Sequence, residues 1–182
     1  MPRLPNLTER DDVPEELVAA YDQVAELRNG VVSGPYGVLL HSPETAVRGA
    51  ALSSYVRFQS ALTPIQREIA IMVVAREWDA AVMWAGHVRL ARQADVREEV
   101  IDVIANRREP DELEPEEAEI IRFVRELYQE HRISDETYSA VHERLGDKSI
   151  VDLTALIGYY AFVGAALNTF EIEPAEGAPR LP

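Results

Sequence analysis

Apolar residues recur along this chain every three to four positions, and proline, glycine and short acidic runs cut that pattern into segments of helical length. Asp11-Asp12-Val13-Pro14-Glu15-Glu16 reads as a capped start for a helix reaching about Leu27, with Asn29-Gly30 ending it. Gly34, Pro35 and Gly37 predict a loop that leads through Leu39, Leu40 and His41 to Ser42-Pro43-Glu44. That trio opens a second helix: Ser42 is the expected cap, Pro43 suits the first helical position, and Glu44 complements the positive end of the helix dipole. Ala46, Val47, Ala50, Leu52, Tyr55 and Val56 form its apolar positions.

Thr63-Pro64 starts the next helix, with Ile65, Glu68, Ile69, Met72, Val73 and Arg76 at helical spacing. A hairpin turn is expected at Trp78-Asp79, then a helix from about Ala80 to Ala94 and a short one from near Arg97. The polar stretch Asn106 to Glu114 breaks the run, and Pro115-Glu116-Glu117 begins a helix whose apolar face is Ile120, Ile121, Val124, Leu127 and Tyr128. Ser134-Asp135-Glu136 opens a shorter helix ending around Leu145-Gly146, and Asp147 or Ser149 is the expected cap of the last helix. Ile150 to Phe170 is the most apolar segment, and Asp152, Thr154 and Asn168 make it a buried helix rather than a membrane span. Gly158, Gly164, Ala165 and Ala166 suit close helix approach, and so apolar a helix needs neighbours on several sides, which points to a homo-oligomer. No alternating strand pattern and no internal repeat competes with this. The reading is one all-α domain, an antiparallel helical bundle over residues 1–170 with an N-terminal arm, followed by an extended tail, 171–182, rich in proline.

Composition narrows the chemistry. Thirty-two acidic against eighteen basic residues give a formal charge of -14, which repels nucleic acid and anionic lipid over most of the surface. No nucleic-acid recognition motif, phosphate loop or nucleotide fingerprint is present. Met1 to Arg10 lacks the apolar core of a secretory signal, and no segment has the roughly 20 continuous apolar residues of a bilayer span, so a cytoplasmic protein without a membrane partner is expected. The chain has no cysteine, which removes thiol nucleophiles, disulfide exchange and thiolate metal sites. His131 and His142 lie in polar surroundings without metal-ligand spacing and are assigned to the surface; neither metal nor cofactor is expected.

Acid–base chemistry remains. With the turn at Trp78-Asp79, Glu68 and His87 lie at similar heights on two antiparallel helices, because each residue advances a helix by about 1.5 Å. Glu68 then accepts a hydrogen bond from one imidazole nitrogen and leaves the other to exchange a proton with a substrate. The alternative is a buried Glu–His hydrogen bond with no substrate. Met83, one turn before His87, forms a pocket wall or ordinary core. Tyr36, His41 and Tyr159 or Tyr160 are candidates for binding a substrate oxygen, with helix capping and packing as their other roles. Among Arg57, Arg67, Arg76 and Arg89, Arg76 or Arg89 is the expected contact to an acidic substrate, with surface ion pairs the competing reading. Trp84 is assigned to core or interface, and Trp78 to a hairpin lid over hydrophobic surface.

Residues 62–96, above all Glu68, Arg76 and Met83-Trp84-Ala85-Gly86-His87-Val88-Arg89-Leu90-Ala91, resemble the carboxymuconolactone decarboxylase family, also called the alkyl hydroperoxidase D-like family. Leu39-Leu40-His41-Ser42-Pro43-Glu44 is similar to its upstream helix start. Val151-Asp152-Leu153, Gly158-Tyr159-Tyr160 and Leu167-Asn168-Thr169-Phe170 are similar to its closing helix. Together these cover about Val38 to Phe170. The resemblance implies an all-helical subunit that assembles into dimers, trimers or hexamers. Its peroxidase branch uses a Glu, a Cys-x-x-Cys pair and a following His; the matching residues are Glu68, Ala80, Met83 and His87, so thiol peroxidase activity is not expected. Its decarboxylase branch implies a cofactor-independent lyase that removes carbon dioxide from a carboxylated lactone of aromatic catabolism, with His87 as proton donor and Glu68 setting its tautomer. Many members carry an acidic residue where this chain has Ala81, which leaves a different lactone, a conjugated acid or another small carbon acid as substrate. The alternatives are a lactone hydrolase on the same scaffold and a non-catalytic helical binding or assembly protein. A closed apolar cavity around His87 favours the last, and a cleft joining the imidazole to a cationic group favours an enzyme.

Overall fold

The computed structural model describes residues 2–182 as an all-helical bundle with no strand among them. Eight α-helices follow two 3-10 turns: α1 (Val18–Leu27), α2 (Tyr36–Leu39), α3 (Pro43–Phe58), α4 (Pro64–Glu77), α5 (Ala81–Gln93), α6 (Glu98–Ala105), α7 (Pro115–Gln129) and α8 (Asp135–Thr169). The run expected to be helical from Asp11 is divided, with 3-10 turns at Arg10–Asp12 and Glu15–Leu17 before α1. Pro14 is the reason, since it donates no hydrogen bond and biases Val13 toward extended backbone. The glycine- and proline-rich segment after α1, expected to be a loop, carries the single turn α2.

Helix α4 is the centre. Ile69 to Ala75 are all 0–1% exposed, and the helix packs against α5, α6, α7 and α8. Its start is fixed by a reciprocal cap: Thr63 Oγ1 accepts from the Gln66 amide at 3.2 Å, and Gln66 Oε1 accepts from the Thr63 amide at 2.8 Å. Ser42 does not cap α3 with its side chain; its hydroxyl pairs with Thr45 Oγ1 at 2.8 Å. Ser134 does cap α8, accepting from the Thr137 amide at 3.2 Å. The break expected near Gly146 is present as a kink inside α8, where Gly146 takes φ 75°, ψ 173°, left-handed backbone that favours glycine.

By length and composition α8 alone among the described helices could span a bilayer, and 61% of its apolar window is buried inside the bundle. Gly164 makes the expected close approach: a methyl group there would stand 2.8 Å from Trp78 Cγ. Gly158 does not; it is exposed and faces open space, on a stripe with Val151, Thr154 and Phe162 that the bundle leaves uncovered. Asp152, 4% exposed, ties α8 to the α3–α4 connection by accepting from the Ala61 amide (2.8 Å), Tyr55 hydroxyl (2.9 Å) and Lys148 Nζ (2.7 Å).

The main core lies between α4, α5, α7 and α8, and a second cluster sits under α1, α2 and α3. The N-terminal arm is strapped to the end of α8 and to α2, the Arg3 amide donating to the Phe170 carbonyl and the Leu7 amide to the Gly37 carbonyl. The tail does not run free: Ala178 N–H returns to the Ala175 carbonyl at 3.1 Å, and Ile172 and Leu181 pack on the main core.

Candidate functional site

The α4–α5 hairpin turns where the sequence places it, with Asp79 at φ 46° and Ala80 as the residue before α5. This register brings Glu68 and His87 together: the imidazole Nδ1 lies 2.7 Å from Glu68 Oε2, and the histidine and the glutamate are 8% and 3% exposed. Burial alone pushes the Glu68 carboxyl toward its neutral form. The hydrogen bond and charge of His87, with the charges of Arg67 and Arg57, outweigh burial and hold Glu68 below the usual carboxylate range. An ionised Glu68 only accepts hydrogen bonds, so Nδ1 carries the hydrogen and Nε2 is the nitrogen left for other chemistry. Tyr160 fixes the ring from the side, edge-on with centroids 5.0 Å apart.

His87 lines a cleft of about 340 Å³ bounded by α2, α3, α5, α8 and the α1–α2 connection. Val82, Met83, Leu90, Val163 and Leu167 form its apolar wall. Tyr36 and Tyr159 close one side, their hydroxyls 2.7 Å apart and both residues buried. Burial raises the Tyr36 phenol, reinforced by Tyr159, and burial likewise raises Tyr160, so both hydroxyls stay protonated far above neutral pH. Arg28, Arg57 and Arg89 supply positive charge to the same cleft. Arg28, which follows α1, stacks on the Tyr36 ring at 4.1 Å, and Arg57 of α3 lies 4.9 Å from the Phe58 ring.

Of the residues expected from sequence, Glu68, His87, Tyr36, Met83, Tyr159 and Arg89 converge here, with Arg89 exposed at the cleft. Arg76 and His41 do not, which corrects their assignment to substrate binding. Arg76 Nε donates to the Ala105 carbonyl at 2.8 Å and its Nη1 pairs with Asp79, so it joins the ends of α4 and α6. His41 Nε2 lies 2.9 Å from the Pro5 carbonyl and secures the N-terminal arm. Ala81 borders a hollow formed with tail residues Glu173 to Leu181, outside the His87 cleft lining.

Arg28 is the residue that sequence reasoning missed, and Arg57 ranks in the sequence behind Arg76 and Arg89. Both continue buried stripes: Tyr21, Val24 and Arg28 at i, i+3, i+7 on α1 and its end, and Ala46, Ala50, Ser53 and Arg57 at one-turn intervals on α3. An arginine at the end of a small or apolar stripe was the available signal. Trp84 is core, 3% exposed; Trp78 is half-buried and donates from Nε1 to the Tyr128 hydroxyl at 3.0 Å. His142 pairs with Asp147 at the surface, and His131 is exposed. Comparison with protein-family models and with curated proteins finds no match to either.

Proposed function

We propose that this protein is a cofactor-independent lyase of the carboxymuconolactone decarboxylase type, acting on a small carboxylated lactone or related carbon acid by proton transfer from His87. The observation that carries the reading is the buried Glu68–His87 pair, 2.7 Å between heavy atoms, whose imidazole opens on a cleft that also holds arginines. A cleft near the lower end of the usual range for small-molecule sites, about 300–1,000 Å³, suits a compact substrate.

In this reading the substrate carboxylate leaves as carbon dioxide, and the electron pair of the broken carbon–carbon bond passes into the conjugated carbonyl system. His87, protonated on both nitrogens, gives its Nε2 proton to the carbanionic carbon and is left neutral with its hydrogen on Nδ1, facing Glu68. Water restores the proton, so each turnover consumes one. Glu68 acts as a positioning residue, holding the tautomer and stabilising the imidazolium that must form before each transfer. The buried tyrosines stay neutral and act as hydrogen-bond donors.

The reading extends to self-assembly. Val151 (65% exposed), Leu52 (42%) and Phe162 (36%) leave apolar surface uncovered on α3 and α8, which supports a homo-oligomer. The test of function is carbon dioxide release with mass-spectrometric product detection across a panel of carboxylated lactones. A product lighter by one carbon dioxide is expected; lactone opening without gas release would replace the proposal with hydrolysis, and no turnover of any compound would favour a non-catalytic scaffold.

A further inference from the structure

The chain carries far more acid than base, and most of its arginines pair with carboxylates: Arg10 with Asp22, Arg92 with Glu98, Arg97 with Glu117 and Arg144 with Glu119 each use two nitrogens on one carboxylate. Of the arginines without such a partner, Arg89, Arg132 and Arg180 are exposed and Arg125 donates to the Arg108 and Val103 carbonyls, which sets Arg28 and Arg57 apart. Neither has an ion-pair partner among the described residues, and their Nε atoms are buried with no hydrogen-bond partner. Arg28 reaches Ser53 Oγ and Ser33 Oγ only at 3.4 and 3.5 Å. Leaving a charged donor buried and unpaired is costly, and Glu68, the carboxylate that feels the Arg57 charge, is hydrogen-bonded to His87 and makes no ion pair with Arg57. Both side chains line the His87 cleft, and aromatic contacts with Tyr36 and Phe58 restrict them.

We propose that Arg28 and Arg57 form a binding site for a single carboxylate of the ligand. The assignment stands on the arginines and holds whether or not the lyase reading above does. A guanidinium fork matches a planar carboxylate with two parallel hydrogen bonds.

The test is an NMR titration of the full chain at low salt with three saturated probes: glutarate, its monomethyl ester and its dimethyl ester. The monoester is expected to bind at least as well as the diacid, because only one carboxylate is wanted, and the diester at least about tenfold more weakly. Arg28→Gln and Arg57→Gln should each weaken the monoester by about tenfold or more and leave the diester unchanged, while His87→Ala keeps the wild-type order. Arg28→Lys and Arg57→Lys, which keep the charge and lose the fork, should fall between, and they replace the glutamine variants if those do not fold. Equal binding of monoester and diester to the wild type, unchanged monoester binding in folded arginine variants, or tighter binding of inorganic phosphate than of the monoester would each overturn the assignment. Since no probe has to react, a failure to release carbon dioxide leaves this result standing, and the anchor can fail while the lyase reading survives.

Discussion

Adding one methyl group at Gly164 should cost stability even though alanine is the better helix former. The new Cβ would sit 2.8 Å from Trp78 Cγ, 3.1 Å from Trp78 Cβ and 3.2 Å from Met83 Cε. Ordinary contact begins near 3.4 Å, so the indole must retreat by about 0.6 Å. Trp78 is poorly free to do so, because its Nε1 donates to Tyr128 and its carbonyl accepts from Asn168 Nδ2 at 2.7 Å. Overpacking of this kind costs about 1–3 kcal/mol. The gain in helix propensity returns about 0.5–1 kcal/mol, leaving a net loss of up to about 2.5 kcal/mol and a Tm lower by up to about 10 °C for a chain of this size. Gly158→Ala is the control: the same substitution in the same helix, exposed and with nothing near its Cβ, should raise Tm by about 1–4 °C. Thermal melts followed by circular dichroism decide it. If Gly164→Ala melts at or above the wild type, the close packing of α8 on the hairpin turn is refuted.

Asp152→Asn should destabilise by about 1–3 kcal/mol in urea melts, since a buried carboxylate accepts from Ala61 and Tyr55 as well as from the exposed Lys148, whose own share is discounted for solvent. Glu68→Gln should lower turnover by up to about 100-fold and let the His87 ring populate both neutral tautomers, read from its nitrogen chemical shifts; an unmixed Nδ1–H tautomer would show that Glu68 does not position the ring. Glu68 and Asp152 are both held below their ordinary values, so their contribution is present above the usual carboxylate range and is lost as pH falls through their folded values; stability measured against pH should decline below about pH 4. Tyr36 and Tyr160 are raised, which places the opposite limit: the unfolded phenols ionise first, and stability should fall again above about pH 10, a decline that Tyr36→Phe reduces.

The helical layout was legible because its punctuation is local. Pro43, Pro64 and Pro115 each occupy a first turn, and Gly146 marks the kink in α8 by chemistry that needs no tertiary partner. The Glu68–His87 contact was also legible, because one short turn at Trp78-Asp79 fixes the register of both helices. Charge recognition was not. Arg28 and Arg57 meet the cleft only because α1 packs on α3 and α3 on α8, an arrangement set by burial across long sequence separations. Arg76 looked equivalent to Arg89 on paper, yet the Ala105 carbonyl at the end of α6 claims it, and α6 enters the sequence more than twenty residues later. The absent acidic residue at Ala81 looked like a loss to the site, whereas the tail folds back over that position instead.

The most direct test of the account is the rate of carbon dioxide release by the wild type and by His87→Gln on the best carboxylated lactone, run in deuterated water. Release that falls by about 100-fold or more in the variant, with one deuterium on the product carbon that lost the carboxylate, is the result predicted. Equal rates in the two proteins, in variants shown to be folded, would contradict a role for His87 in the chemistry.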